Sequence, residues 1–409
     1  MRNNMKKITT SLLMMVLALP STLSALELDK DGYYLIHNAD ELVQYREASE
    51  KKSGINGRLA ADIDLSSVCG IINGDTINWE PINFPKSSFD GANHTISNFY
   101  YNSPDSSNVG FFKEIKQVSN LILKNAYVKG NKNVIGFAKA KKIDNCHFEG
   151  IVEGGDNISV MTCDTLTNSS NYGCCFGNEN VFGMIANKYV ENCYNRGNIY
   201  GTKKTAAFRS EYLGDQRNLY NVGKIRSDIE EDGISNSSSI SYCYVLDTFS
   251  TSFDRNKNKS ESFYIFPLSK FNDGSVADSL NKYVTVHPKP DNNCQLLSWG
   301  QGKDGFPHFE HVDLQPTENH VVEFTGAYKG FSRIQNGSIT LPKSTDPMYE
   351  YDFETFDGTG LDKDTIIDVY YSFNTTLKKD TDGFYLIKDA QDLITYREFV
   401  NKDLPMDGR

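Results

Sequence analysis

Val190-Glu-Asn-Cys-Tyr-Asn-Arg-Gly-Asn-Ile199 decides how this chain folds, because its parts return along the sequence. The first half recurs in degenerate form as Val118-Ser-Asn-Leu, Ile143-Asp-Asn-Cys, Gln216-Arg-Asn-Leu and Ile240-Ser-Tyr-Cys. The third residues of these phrases fall at 120, 145, 192, 218 and 242, with separations of 25, 47, 26 and 24. The second half returns as Tyr220-Asn-Val-Gly-Lys-Ile225, and interleaved phrases keep the same beat: Asn108-Val-Gly-Phe, Asn133-Val-Ile-Gly-Phe, Val181-Phe-Gly-Met and Thr205-Ala-Ala-Phe. Several short β-branched or aromatic strands per repeat, each closed by Gly or Asn, describe a coil that cannot bury its own apolar face, whereas stacked coils share a continuous core. Asn at the same corner of successive coils can stack as an amide ladder and satisfy the turn backbone. The expected fold is therefore all-β, with a right-handed parallel β-helix over residues 70–262. A β-propeller needs blades of about 40 to 45 residues, which this spacing does not supply. The separation of 47 is close to two periods, and the stretch Cys163 to Asn180 inside it, rich in Asn and Ser with adjacent cysteines, reads as an irregular loop.

Working outward, residues 26–69 read as a strand-helix-strand opening unit. Asp31-Gly32 is a turn, Tyr33 to Ile36 a strand, and Asn38 a helix N-cap with Glu41 three residues on, which makes a capping box. Leu42, Tyr45 and Ala48 share one face of a helix ending near Gly54, and Leu59 to Leu65 alternates as a strand with Asp62 and Asp64 on the side away from Ile63 and Leu65. Residues 263–312, with a short helix around Val276 to Lys282, read as a segment that closes the open end of the stack. Residues 313–378 carry the strands of a small β domain. Residues 380 to 409 then repeat 29 to 58 without a gap, with fourteen of thirty positions identical. On this reading 379–409 is the truncated start of a second module, and the array continues beyond Arg409.

Residues 1–25 have a basic start, an apolar run from Ile8 to Pro20 and small residues at Thr22, Ser24 and Ala25. That is the pattern of a secretory signal peptide, too short for a membrane anchor. The expected location is secreted or cell-surface, without membrane insertion. Losing Arg2, Lys6 and Lys7 takes the formal charge from −11 to −14, and no basic stripe offsets it, so nucleic acid is not an expected partner. An exported chain with eight cysteines (Cys69, Cys146, Cys163, Cys174, Cys175, Cys193, Cys243, Cys294) permits disulfides.

No convergent catalytic cluster emerges, and no catalytic, cofactor or metal residue is assigned. His308-Phe-Glu-His311 brings two imidazoles near each other, yet Pro307, Phe306 and Phe309 point to a strand edge, not a helical ligand pair. His94 follows a turn and is read as a buried hydrogen-bonding residue. Asp62 and Asp64 are read as a solvated strand face or as turn-capping groups, in preference to a calcium or acid-base pair. Asp29-Lys-Asp-Gly32 lacks the remaining ligands of a calcium loop. Asn145-Cys146 and Asn192-Cys193 read as stacked interior positions, with an inter-coil disulfide as the alternative, and Cys174-Cys175 as a partner for Cys163 or another segment. Leu341-Pro-Lys-Ser-Thr345 reads as a loop, not a wall-anchoring signal.

Gly110-Phe-Phe, Gly136-Phe-Ala and Asn192-Cys-Tyr-Asn-Arg-Gly-Asn-Ile resemble the GLUG-motif repeats of bacterial surface proteins. Leu59 to Leu65, Trp79-Glu-Pro-Ile82 and Phe89 to Ile96 resemble the lead-in of such proteins, and Leu280-Asn281, Trp299 and Phe306-Pro307 their closing segment. The likeness covers about residues 30 to 310, although the double glycine is missing here. Gly337-Ser-Ile-Thr-Leu-Pro342 makes residues 321–373 faintly similar to the small β-grasp repeats called Listeria-Bacteroides repeats. The GLUG resemblance implies a secreted or cell-surface β-helix, as in adhesin-like proteins and beside protease domains, with no catalytic residue to carry over. The expected function is non-enzymatic: a rigid, repetitive surface for a glycan or a host or matrix protein. The rivals are a polysaccharide lyase or glycoside hydrolase built on the β-helix, and the non-catalytic N-terminal region of a larger exported protease.

Overall fold

The computed structural model describes residues 26–51, 54–210, 214–227, 230–232, 234, 239–247, 263–288, 294–334, 337–344, 349–373, 381 and 384–401. Residues 1–25, read above as a signal peptide, lie outside the described residues. β1 (Tyr33–Ile36), α1 (Ala39–Lys51) and β2 (Asn56–Leu59) form a crossover in which the two strands pair in parallel, Tyr33 opposite Asn56 and Ile36 opposite Leu59. Half of the expected capping box forms, and the reciprocal bond from Glu41 reaches one residue past the N-cap. Asn38 Oδ1 accepts the Glu41 amide at 3.0 Å, and Glu41 Oε2 accepts the His37 amide at 2.8 Å. The strand expected over Leu59 to Leu65 is broken into β2 and β3 (Ile63–Asp64), while its alternation holds, with Ile63 and Leu65 buried and Asp62 and Asp64 outward.

β2 pairs with Ile82–Asp90, which pairs with Val109–Lys129, and the ladder continues without a break to Phe263–Phe266. The result is a right-handed parallel β-solenoid of about eight turns, in which the opening crossover supplies the first rungs. Apolar side chains line up coil upon coil. Val118, Ile143, Leu166 and Val190 form one buried column, and Val128, Val152, Cys175, Ile199 and Ile225 another. Each such side chain withdrawn from water contributes about 1.5 to 3 kcal/mol, and no single coil could bury them alone.

Asparagine turns the corners. Asn93, Asn120, Asn145, Asn168, Asn192 and Asn218 all take the left-handed conformation, with φ between 51° and 64°, where Asn is the best-tolerated residue after glycine. Their amides form a ladder: Asn145 Nδ2 donates to Asn120 Oδ1 at 2.9 Å, Asn192 to Asn168 at 2.7 Å and Asn218 to Asn192 at 2.7 Å. Asn168 splits the 47-residue separation into 23 and 24. The stretch read as an irregular loop is instead an ordinary coil with strands Asp156–Thr167, Ser170–Asn171 and Cys174–Phe176. Leu166-Thr-Asn-Ser169 had hidden its corner because Ser169 stands where the other phrases carry Leu or Cys.

A second buried ladder, Asn171, Asn195 and Asn221, caps the next turn, where Gly173, Gly197 and Gly223 stack. A Cβ on Gly197 would stand 1.8 Å from the Gly173 carbonyl oxygen, so only glycine allows the coils to approach.

Residues 268–288 and 294–317 lie along the flank of the stack, which corrects the expectation that this segment closes its end. Helix Ser275–Val286 accepts the Asn218 amide through Leu280 O at 3.3 Å, and Trp299 Nε1 donates to Asn192 Oδ1 at 2.8 Å. The Leu297 amide donates to Asn168 Oδ1 at 2.9 Å, and the Thr317 amide to Tyr172 O at 2.9 Å. The segment is a strap running back over a column of outward-facing rings, Tyr194, Tyr220 and Tyr244, which it buries with Trp299 and Phe309.

The small β domain follows. Val321–Gly326 pairs in parallel with Thr365–Val369 and antiparallel with Gly330–Arg333 around Val322, Phe324, Ile339, Leu341 and Val369. It sits on the stack through Val321 and Phe331 against Cys174, Phe176 and Tyr200, and Arg333 Nε reaches Glu153 Oε1 at 2.7 Å. Leu341 opens a loop, its amide held by Glu354 O at 2.9 Å, and Thr345 lies outside the described residues. In the C-terminal repeat, helix Ala390–Asn401 keeps a cap, the Asp392 amide donating to Asp389 Oδ1 at 2.8 Å. Leu393 is 56% exposed, whereas its counterpart Leu42 is fully buried.

Candidate functional site

The carboxylates and imidazoles singled out in the sequence are engaged in building the fold. Asp62 Oδ1 accepts the Thr95 amide at 2.9 Å and lies 3.1 Å from His94 Nδ1, so His94 hydrogen-bonds at a partly exposed corner, not a buried one as expected. Asp64 Oδ1 accepts the Ser66 amide and the Asn98 side chain at 2.9 and 2.7 Å, and these bonds hold its carboxyl below the ordinary range. Asp29 accepts the amides of Asp31 and Tyr33, which lower its carboxyl, and its other oxygen pairs with Arg58, which also binds Asp90 at 2.9 Å. The Asp29 to Gly32 stretch is thereby a turn clamped by an arginine.

His308 stands in a short antiparallel pair opposite Gly300, and His311 faces away from it into the stack. There His311 Nε2 and His147 Nε2 both meet Asn145 Oδ1, at 2.8 and 3.0 Å, while His147 Nδ1 meets the Ser170 hydroxyl at 2.8 Å. Asn145 is oriented by its Nδ2 bonds to Asn93 and Asn120, so its oxygen can only accept. Both imidazoles must therefore present Nε2–H. Burial holds His147 well below its ordinary pKa, helped by His311, which is itself lowered by burial.

All eight cysteines are buried free thiols, which corrects the disulfide alternatives. Cys146 and Cys193 occupy one interior column with Leu121, Leu219 and Cys243, but the coil of Ser169 lies between them. Two rungs put their backbones about 9.6 Å apart, beyond the reach of a disulfide. Cys163 pairs in register with Ala140 and Ala186, and Cys175 with Val152 and Ile199, on different walls of the coil. Burial raises the Cys146, Cys163, Cys175 and Cys193 thiols, leaving them as packing groups.

The face left open by these elements is a groove of about 470 Å³ crossing five coils. One wall is a third amide ladder that the interleaved sequence phrases contained without announcing. Asn133 Nδ2 donates to Asn108 Oδ1 at 3.0 Å, Asn157 to Asn133 at 3.1 Å and Asn180 to Asn157 at 3.1 Å, all four left-handed and solvent-facing. Each amide has two N–H groups and spends one on the ladder, so a second remains for a ligand at every rung, about 4.8 Å apart. The floor carries Ile135, Ser159 and Phe182, and the other wall carries Lys113, Glu114, Lys139, Thr162, Ile185 and Arg209. The Arg209 guanidinium lies 4.6 Å from the Phe182 ring centre and covers it. A register shift between Ile135 and Ala138 bends the strand between floor and wall.

No family model matches this chain, and no curated protein matches it. A solved structure from Bacteroides ovatus, a "putative immunoglobulin A1 protease", is similar with a TM-score of 0.46 at 18% identity, covering 70% of this chain and 94% of that one. Among the described residues, no helix is long and apolar enough to cross a membrane. A second cleft, of about 440 Å³, lies where the strap turn at Lys303 and Asp304 meets the stack, and in its lining the Asp304 carboxylate forms an ion pair with Arg196 at 2.6 Å.

Proposed function

We propose that this chain is a non-enzymatic, adhesin-like module of a secreted or cell-surface bacterial protein, holding an extended glycan along the open groove of its coil stack. The observation that carries the reading is the solvent-facing ladder Asn108, Asn133, Asn157 and Asn180, which offers the same unspent donor at a fixed spacing over four coils. A repeating polymer meets a repeating surface, so weak contacts add without any one strong site. The likeness to GLUG-motif repeats and the basic, apolar leader are consistent with export. The carboxylates and imidazoles discussed above are committed to structural bonds, which favours binding over hydrolysis.

The test is a screen of the intact chain against arrayed glycans and matrix proteins. Retention of a glycan that is lost in the Asn133→Ala/Asn157→Ala chain is the expected result. Retention unaffected by that substitution, or release of new reducing or unsaturated ends from a polysaccharide, would overturn the reading.

A further inference from the structure

The groove is positive on a chain that is negative overall. Its lining holds Lys113, Lys139 and Arg209 against one acid, Glu114, while the chain carries a formal charge of −11. Two other exposed lysines on the stack are neutralised one coil away: Lys132 meets Asp156 at 3.2 Å, and Lys203 meets Glu179. Lys113 and Lys139 lie on adjacent coils and make no such pair among the described residues. A groove that gathers cations with a single acid favours a ligand that supplies negative charge.

The lining also discriminates among polyanions. An acidic peptide added as a strand needs free backbone donors and acceptors, yet the three inner groove strands, Lys132–Glu153, Asp156–Thr167 and Glu179–Asn195, lie inside the ladder, their backbone taken by the coils above and below. A single-stranded nucleic acid needs open rings for its bases. The one aromatic ring in the lining, Phe182, is buried and covered by Arg209. A neutral glycan stacking on an aromatic platform is unmatched for the same reason. What remains is amides, the part-exposed hydroxyl of Thr162, and cations, which fit the hydroxyls and carboxylates or sulfates of an acidic glycan.

We infer that the groove takes a linear acidic polysaccharide, a polyuronate or sulfated glycan, with its acid groups toward Lys113, Lys139 and Arg209 and its hydroxyls toward the asparagine ladder. This rests on reading the groove as a glycan-binding surface. Five coils give it a length of about 19 Å, enough for a short run of sugars.

The experiment is calorimetric titration of the intact chain with polygalacturonate, chondroitin sulfate, a neutral β-glucan, polyglutamate and a single-stranded oligonucleotide, at low and moderate salt. Binding of an acidic glycan is expected, weakening as salt rises, with little heat from the other probes. Lys113→Gln/Lys139→Gln should weaken it about tenfold, and Glu114→Gln should strengthen it severalfold, with thermal midpoints near the parent value. All three side chains are exposed and outside the core, so the folded state is kept and the two opposite signs cannot both come from unfolding. Stronger binding of the neutral glucan, insensitive to the lysines, would overturn this inference while leaving glycan binding intact. Equal or tighter binding of polyglutamate or the oligonucleotide would overturn it in favour of another polyanion. No binding of any glycan would overturn both.

Discussion

Asparagine holds the corner of six consecutive coils for two reasons that act together. It tolerates the left-handed backbone, and its amide bonds to the coil before and after. The inner and outer ladders therefore respond differently to the same substitution. Asn192 bonds to Asn168, Asn218, Leu297 O and Trp299, so Asn192→Ala should cost about 3 kcal/mol in chemical denaturation. Solvent-facing Asn180→Ala should cost about 1 kcal/mol or less. His147 adds a pH dependence. Unfolded, its imidazole titrates near 6.5; folded, burial holds it lower. Above about pH 6.5 neither state takes the proton. Below it the unfolded chain does and the native one does not, so stability falls by about 1.4 kcal/mol per pH unit until the folded pKa is reached. Thermal midpoints between pH 7.5 and 5 should show that slope, and His147→Gln should flatten it. At this scale the sequence revealed the corner Asn residues that Leu or Cys follows, as at Asn120, Asn145, Asn192 and Asn218. Asn168 escaped because Ser169 stands in that place. The pairing of His147 with His311 escaped because 164 positions separate them in the chain.

Among the elements, strands and turns were legible because their causes are local, whereas the course of the strap was not. The column Tyr194, Tyr220, Tyr244 was the available sign: rings pointing outward at every coil call for a cover, and the strap supplies it. Trp299 lies at the centre of that cover, in contact with Tyr194, Tyr220 and Phe309. Trp299→Ala should cost about 3 to 5 kcal/mol. It should also raise amide exchange over residues 294–312 while Val109–Lys129 stays protected, because the coils keep their own core. Uniform loss of protection would show that strap and stack fold as one unit. The two copies of the opening helix make the same point about locality. Both keep a cap, yet Leu42 and Tyr45 are buried against Phe84 and Phe89 in the first copy, while Leu393 and Ile394 of the second are exposed. Limited proteolysis should therefore cut near residues 384–401 well before 33–51.

For the molecule as a whole, the stack is a rigid axis with three differently used flanks: one under the strap, one under the small β domain, and one open. Which flank stays open could not be read from the repeats, since Asn108, Asn133 and Asn157 look like any other corner until the strap and the small domain are placed elsewhere. The same geometry turns a period of about 25 residues into a row of donors with fixed spacing and sets in the same groove Lys113 and Lys139, which pair with no acid among the described residues. Side-chain amide resonances report on that row directly. On titration with an acidic glycan, the NH₂ signals of Asn108, Asn133, Asn157 and Asn180 should shift together and saturably, while those of Asn192 and Asn218, buried beneath the strap, stay in place. Shifts confined to the strap or the small domain, or none at the outer ladder, would contradict the assignment of the groove as the binding surface.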